Sequence, residues 1–308
     1  MNSFLVRRLG GAAVTVLVVS FVAYVALTFA PGDAAEALIG ESASAEQIAA
    51  LRAQMNLDAP LAERYADYMA GAFRGDLGRS LISDRPVMEL LSERFPATVQ
   101  LALAAILIAA VVGFGLGHTA ALHAGSKLDG LVVGSTALAL SLPSYWVALL
   151  LVMLFSLSLH WLPVFGSGTL AHLVLPAITL ALPAAAMIAR LVRAGVLEVQ
   201  HSDFVRTALS KGLSHRQTMA RHVLPNALIP ALTMMGLNLS HLIGGAFVVE
   251  TIFAWPGLGR LMVQAIFDRD IPVVMGTVLV VAPLCLGVNL LVDLLHGTLD
   301  PRVRQRAL

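Results

Sequence analysis

Charge, cysteine and lysine are scarce in this chain, and each scarcity removes a class of function. Charged residues make up 13% of the 308 positions, against a hydrophobic content of 58% and a mean hydropathy of +0.82. A soluble domain carries about twice that charged fraction, so the composition excludes an ordinary water-soluble globule. The net charge of +1 says nothing about nucleic acid, and the basic residues are spread over several loops; no nucleic-acid partner is expected. The one cysteine, Cys285, sits in an apolar run. It rules out an intrachain disulfide and cysteine-cluster metal sites, and it reads as packing. Lysine occurs only as Lys127 and Lys211. Neither lies in a G-x-x-x-x-G-K-[ST] phosphate loop, since Lys211-Gly212 has the reverse order. The chain is therefore expected to bind no nucleotide or other cofactor and to catalyse no reaction.

Nine histidines invite a metal reading. No two of them combine the i, i+4 helical spacing with a supporting acid. His118 and His123 fall near the end of one apolar run, and His201, His215 and His222 share a polar stretch. No metal site is expected.

What the chain has in quantity is apolar sequence in runs of bilayer length, about 20 residues each. Six candidate spans lie at roughly 9–30, 97–121, 130–157, 173–196, 228–249 and 273–295. Gly113, Pro143 and Pro183 interrupt three of them, which membrane helices tolerate when neighbours re-satisfy the backbone. Arg7 and Arg8 precede the first run as in a secretory leader. That run is about 21 residues long, beyond the roughly 7–15 of a leader's apolar core, so a retained helix is expected. The fold class expected is an all-α integral membrane protein with six transmembrane helices.

Orientation follows from basic residues in short connections. Arg7, Arg8, Lys127, Arg190, Arg193, Arg206, Lys211, Arg216 and Arg221 fall on one side of a six-span layout, as do Arg302, Arg304 and Arg306. The connection 158–172 has neither Lys nor Arg. The basic side is read as cytoplasmic, with both termini inside. Arg260 and Arg269 are exceptions, balanced by Asp268 and Asp270.

The chain divides at about residue 96. Residues 1–96 hold the first span and an outer loop, and residues 97–308 hold a five-helix core. In the loop, Ser44 to Met55 can form a helix, with Ile48, Leu51 and Met55 on one face. Ser44 and Gln47 have capping-box spacing at its start. Pro60 to Phe73 and Pro86 to Phe95 can form two more helices, separated by a glycine turn from Gly75 to Ser80. A loop of about 65 residues is too small for a reliable core of its own. It is expected to pack on the membrane domain as a lid or docking ledge.

The polar stretch from Asp203 to Pro225, inside an inner loop at 197–227, is the most informative. Asp203 can cap a short helix whose face carries Phe204, Ala208 and Leu209, with Arg206 and Lys211 turned elsewhere. Gly212 suits the left-handed position that closes a helix. Ser214 and Gln217 repeat the capping-box spacing and start a second helix. Leu224-Pro225 is expected to end it, because proline lacks the amide donor. Attraction to anionic lipid requires charge alone. Two caps, a glycine break and a proline stop describe instead a stiff handle for a protein partner.

Gly212, nine residues, His222 and then Leu224-Pro225 resemble the loop motif of ATP-binding-cassette importer permeases: E-A-A, three residues, G, nine residues, I-x-L-P. Aligned on Gly212, the first three places hold Arg206, Thr207 and Ala208, and His222 takes the isoleucine place. The absent glutamate matches the variant R-T-A-x-x-K-G-L-S, here Arg206 to Ser214 through Lys211 and Leu213. That variant is typical of the dipeptide, oligopeptide, glutathione and nickel permease branch. Further resemblances are Pro31-Gly32-Asp33, Gly75-Asp76-Leu77-Gly78, Leu162-Pro163 and VVETIFAWPGLGR from Val248 to Arg260. Asp268-Arg269-Asp270 with Pro272 and the terminal Asp300-Pro301-Arg302 complete a set that runs almost end to end.

The resemblance implies a type I importer permease-like fold in a bacterial or archaeal cytoplasmic membrane. It implies pairing with a second homologous permease, two cytoplasmic ATP-binding subunits that carry ATP and Mg, and an extracytoplasmic substrate-binding protein. The ATPase-coupling residues would be Asp203, Arg206, Thr207, Ala208, Lys211, Gly212, Leu213, Ser214, His222, Leu224 and Pro225. The cargo would be short peptides, with nickel, a metal chelate or glutathione as alternatives.

Four residues are candidates for the pathway or its gate. His241 sits mid-span, where a polar group is a pathway candidate by default, and Asp293 is the acid inside the last span. Glu250 and Trp255, with Pro256 and Gly257, are read as a rigid outer turn, Trp255 being placed as an interfacial aromatic. A secondary transporter would need embedded carboxylates and usually inverted repeats, which the spans do not offer. An intramembrane serine protease would need a G-x-S-G turn; Phe165-Gly166-Ser167-Gly168 lacks its first glycine.

Overall fold

The computed structural model describes residues 2–29, 44–54 and 58–299. Met55, Pro31-Gly32-Asp33, Asp300-Pro301-Arg302, Arg304 and Arg306 lie outside the described residues. The regular structure is helical. In chain order it comprises α1 (Asn2–Thr28), α2 (Ala45–Gln54), α3 (Leu61–Phe73), α4 (Val87–Leu122), α5 (Lys127–Ser141) and α6 (Ser144–Leu151). These are followed by α7 (Leu170–Val199), α8 (Asp203–Ser210), α9 (His215–Thr218), α10 (Leu224–Ala227), α11 (Ile229–Gly245) and α12 (Phe247–Ile252). Last come α13 (Leu258–Phe267) and α14 (Ile271–Leu299).

Four helices contain uninterrupted apolar segments long enough to cross a bilayer: Val6–Thr28, Val87–Leu122, Leu170–Val199 and Ile271–Val292. Two bent pairs bring the number to six, Lys127–Ser141 with Ser144–Ser158 at 106° and His215–Ala227 with Ile229–Gly245 at 44°. The bend in the third span follows from Leu142-Pro143. Proline disfavours helical backbone in the residue before it, and Leu142 is extended at φ −85°, ψ 129°. A π-helical turn, Val152–Ser158, closes the second arm.

One expected boundary is corrected. The outer helix at Pro86–Phe95 and the span starting at 97 are a single helix, α4, with Pro96 inside it. One missing amide bond does not stop a helix gripped on both flanks. Val87 and Leu91 before Pro96, and Leu101 and Ala102 after it, are buried. Arg85 also braces the first turns by donating to Glu89 and Glu93, both at 2.5 Å.

The chain forms two compact units, residues 1–98 with 256–286 and residues 99–255 with 287–308. In the first, the loop helix α3 lies on α1 through Tyr65. Its hydroxyl shares a 2.8 Å hydrogen bond with Ser20, and its ring stacks edge-on to Phe21 at 5.2 Å. Leu77 of the glycine turn joins Val87, Leu91, Leu258, Val273 and Val274 in one core. The buried Asp270 ties the same loop down, accepting from the Ser80 hydroxyl at 2.5 Å and the Leu81 amide at 3.1 Å. The described 58–86 segment thus packs against long apolar helices of its own unit, as its small size requires.

The second unit is built on α7. Alanines 177, 181, 184, 185, 186 and 189 give it a narrow, buried surface. Gly113 and Gly117 of α4 meet this surface so closely that a methyl group has no room. At Gly113 it would lie 2.8 Å from the Ala185 carbonyl, and at Gly117 it would collide with the Ala189 carbonyl and lie 2.8 Å from Val192 Cβ. Small residues at such crossings are how membrane helices gain close contact. Near the end of α7, Arg193 grips Asp129 of α5 through two bonds, at 2.6 and 2.8 Å. The Gly125 amide donates to the same carboxylate at 2.9 Å, and Ser126 caps α5 by accepting from the Asp129 amide. On the far side, α11 meets α14 where Gly236 faces Val292 and the Ser240 hydroxyl donates to Asn289 Oδ1 at 2.7 Å.

Two variants test this packing. Gly117→Ile should lower thermal stability in detergent by about 1–3 kcal/mol through overpacking, while Gly115→Ala, in open space on the same helix, should not. Equal melting would show that the α4–α7 crossing is not close. Arg193→Met strands the Asp129 carboxylate, whose side chain is 7% exposed. It should cost about 2–3 kcal/mol in the same assay, discounted because Arg193 is partly solvated. The double variant Asp129→Leu/Arg193→Met should recover part of the loss.

Candidate functional site

Helix α8 ends in a complete glycine closure. Gly212 has φ +84°, its amide donates to the Leu209 carbonyl, and the Leu213 amide donates to the Ala208 carbonyl. This 5→2 and 6→1 pair is the Schellman arrangement. Lys211 is the exposed last residue before the glycine. Ser214 then opens α9 with both halves of a capping box, its hydroxyl accepting from the Gln217 amide and Gln217 reaching back to the Ser214 amide. Helix ends normally leave several amides and carbonyls without partners; here the end of α8 and the start of α9 find partners within the segment.

Three local expectations change. Ser202, not Asp203, is the residue preceding α8, and its side chain makes no cap bond. Asp203 lies in the first turn, where a negative charge favours the helix dipole. It is fully exposed and only 3.8 Å from Arg206, a pair worth little at such exposure. The buried face of α8 carries Val205 and Ala208, while Phe204 and Leu209 are 47% and 42% exposed. Thr207 lies on the exposed side, with its hydroxyl donating to the Asp203 carbonyl. Finally, Leu224-Pro225 does not end the second helix. The backbone widens into a π turn over Met219–Val223 and continues through α10, where Pro225 occupies a first-turn position. Proline is tolerated there because first-turn amides have no intrahelical acceptor. In the π turn, His222 is half-buried, and its carbonyl accepts from Asn226 Nδ2 at 2.7 Å. The chain bends instead at Leu228.

The insert is anchored at both roots. α8 follows directly on α7, and α10 presses on α7 at Gly195, where a methyl group would lie 2.6 Å from the Ala227 carbonyl. Val196, Val223 and Ala227 are almost wholly buried around that point. Between α8 and α9 lies a cleft of 260 Å³ bordered by His201, Leu209, His215, Thr218 and Met219. The Thr218 hydroxyl is buried there without a hydrogen-bond partner. Sequence reading missed both the cleft and the Arg193–Asp129 clamp. The S-x-x-D spacing of Ser126 and Asp129 was the available signal for the clamp.

The pathway candidates have different settings. Glu250 is fully buried, and its carbonyl accepts from the Trp255 amide at 2.8 Å. Trp255 is 2% exposed, so it is a packed residue of a tight turn and not an aromatic at the membrane surface. The turn closes through Ala254 at φ +51°, and the Gly166 amide donates to the Phe253 carbonyl. His241 is exposed on α11. Asp293 lies on α14, and its side chain is outside the described residues.

Comparison with known proteins gives this geometry its setting. Residues 113–305 match the family described as binding-protein-dependent transport system inner membrane component, and residues 1–102 match its N-terminal portion. A putative peptide transport system permease protein of Brucella abortus strain 2308 is 40% identical over 312 residues, covering 99% of both chains. The glutathione transport system permease protein GsiC of Escherichia coli K12 is 36% identical over 306 residues, covering 99% of this chain and all of that one. Among solved structures, the MetNI methionine ABC transporter in inward-facing conformations shares the fold. Its TM-score is 0.59 at 21% identity, over 69% of this chain and 97% of that chain. The chain therefore belongs to the binding-protein-dependent transport system inner membrane component family, as a multi-pass permease subunit of an ATP-binding-cassette importer.

Proposed function

We propose that this permease imports short peptides by alternating access, driven by ATP hydrolysis on partner subunits that dock on the Asp203–Pro225 insert. Relatives named for peptide and glutathione transport support a cargo built of amide-linked amino acids. The observation that carries the coupling assignment is the form of the insert. It is a self-capped pair of helices, rooted on α7 at Gly195, that presents Phe204 and Leu209 beside the exposed Arg206 and Lys211. Exposed aromatic and aliphatic side chains ringed by cations suit a protein groove with an acidic rim. Closure of two ATP-binding subunits, holding ATP and Mg, would push one such foot on each of two paired permeases. Because the foot and α7 share a packed root, displacement would pass to the membrane helices without being absorbed in a loop.

The basic insert then lies in the cytoplasm, with both termini on the same side and the 44–98 region facing an extracytoplasmic binding protein. On that side, Asp76 accepts from the Gly78 amide at 2.8 Å. Burial, together with the nearby Asp76 charge, pushes the Tyr68 hydroxyl above its ordinary range, so Tyr68 stays neutral at any physiological pH.

Gly212→Val forces a β-branched residue into a left-handed conformation at a cost of about 1–3 kcal/mol and loosens the foot. Uptake by the reconstituted complex should fall while membrane insertion and ATP hydrolysis persist; normal uptake would show that no stiff lever is needed. Arg206→Glu with Lys211→Glu should reduce the yield of ATPase subunits co-purified with the permease, and more so at low salt, where exposed charges are least screened. An undiminished yield would place these residues against lipid headgroups.

A further inference from the structure

The outward face of α11 carries a feature that the coupling assignment does not use. Taking 100° per residue, Pro230, Met234, Leu237, His241, Gly244 and Gly245 fall within an arc of about 100°. Pro230, His241, Gly244 and Gly245 are exposed, and Met234 and Leu237 are half-buried. Most of the remaining surface is packed, with Leu232, 41% exposed, the exception on the opposite side. Gly236 and Ser240 meet Val292 and Asn289 of α14, and Ala231, Leu242 and Ile243 are buried.

His241 lies 13 residues beyond the Leu228 bend, about 20 Å along the axis, and helical backbone carries on past it through Ala246 into α12, which ends at Ile252. Neighbouring polar side chains on α11 are spoken for. Asn238 donates to the Met234 carbonyl, and Ser240 donates to Asn289. Among the described residues, His241 has no hydrogen-bond partner. An imidazole facing hydrocarbon keeps both ring nitrogens unsatisfied, which is costly and rare. Contrast the exposed stripe of α4, Leu103, Leu107 and Val111, at 53%, 65% and 68% exposure, whose all-aliphatic make-up suits lipid. The two glycines beside His241 leave the backbone open as well. Gly245 would accept a methyl group without touching anything.

We propose that this face of α11 lines the aqueous translocation pathway and that His241 is a hydrogen-bonding station for hydrophilic cargo passing through it. The assignment deepens the importer reading and rests on it for the identity of the cargo. Neutral imidazole presents one donor and one acceptor, a pair that matches the carbonyl and amide of a peptide unit. The apolar Met234 and Leu237 below it offer no competing hold, so contact at His241 is brief and the cargo moves on.

Cysteine accessibility tests the wall independently of any cargo. In the complete complex in membrane vesicles, with Cys285→Ser as background, a membrane-impermeant cationic methanethiosulfonate is applied from each side in turn. His241→Cys, and Met234→Cys or Leu237→Cys on the same arc, should react about tenfold faster than Leu107→Cys and Val111→Cys, because thiol reactivity requires access to water. Equal, slow reaction at both faces would place α11 against lipid or a dry protein interface and overturn the proposal. The contact itself is tested by uptake of a labelled dipeptide and of glutathione. His241→Phe should lower uptake by up to about tenfold, the worth of a lost hydrogen bond, and His241→Gln should restore most of it. Fast labelling with uptake indifferent to both variants would overturn the contact. Absence of uptake by the unaltered complex for either compound would count against the peptide reading, while the labelling result still decides the pathway wall.

Discussion

Everything in the second unit depends on how closely other helices can approach α7. Inside a bilayer the hydrophobic effect gives no reason for two apolar helices to associate, since lipid is as apolar as leucine. Contact must come from dispersion and from a few polar bonds. The alanine surface of α7, met by Gly113 and Gly117 from α4 and by Ala227 at Gly195, supplies short approach distances along most of the helix. Close approach multiplies weak attractions that fall off steeply with separation. The Arg193–Asp129 clamp then fixes α7 against α5 at a defined point along its length.

That arrangement explains why the polar insert sits where it does. A segment proposed to transmit force needs a stiff attachment, and the last turns of α7 offer one, with Arg193 bonded to Asp129, Val196 buried and Gly195 against Ala227. The insert adds stiffness of its own, because its glycine closure and capping box leave few backbone groups in need of outside partners. The first unit follows a different logic. Its outer segment has too little apolar surface for a core, so Leu77 and the Ser80–Asp270 tie make it share one with the helices beneath.

Much of this was legible from sequence because the bilayer imposes so strong a pattern. Apolar runs marked the spans to within several residues, and the caps at Ser214, Gln217 and Gly212 follow rules of backbone geometry that operate locally. The failures share one cause. Proline was taken to stop helices, yet α4 continues through Pro96 and α10 begins around Pro225, because packing on either side outweighs one lost amide bond. Local spacing grouped Phe204, Ala208 and Leu209 on one face of α8, whereas tertiary contact buries Ala208 with Val205 and leaves Phe204 and Leu209 exposed. The amphipathic α13 escaped notice because it follows the Pro256-Gly257 turn and is too short to read as a span. Trp255 was assigned to the membrane surface by residue type, whereas the Ala254 turn folds it inward. The cleft beside Thr218 and the Arg193–Asp129 pair each join residues from separate helices, so the S-x-x-D spacing at Ser126 marks Asp129 but not its partner Arg193.

A foot whose backbone bonds are closed internally has a consequence for biogenesis. It reaches its final shape when the membrane helices fold and has no need of a template. The ordering entropy that a disordered tail would lose on binding has already been lost. If ATP-binding subunits dock on this insert as proposed, they can arrive late, leave and be replaced without the insert refolding.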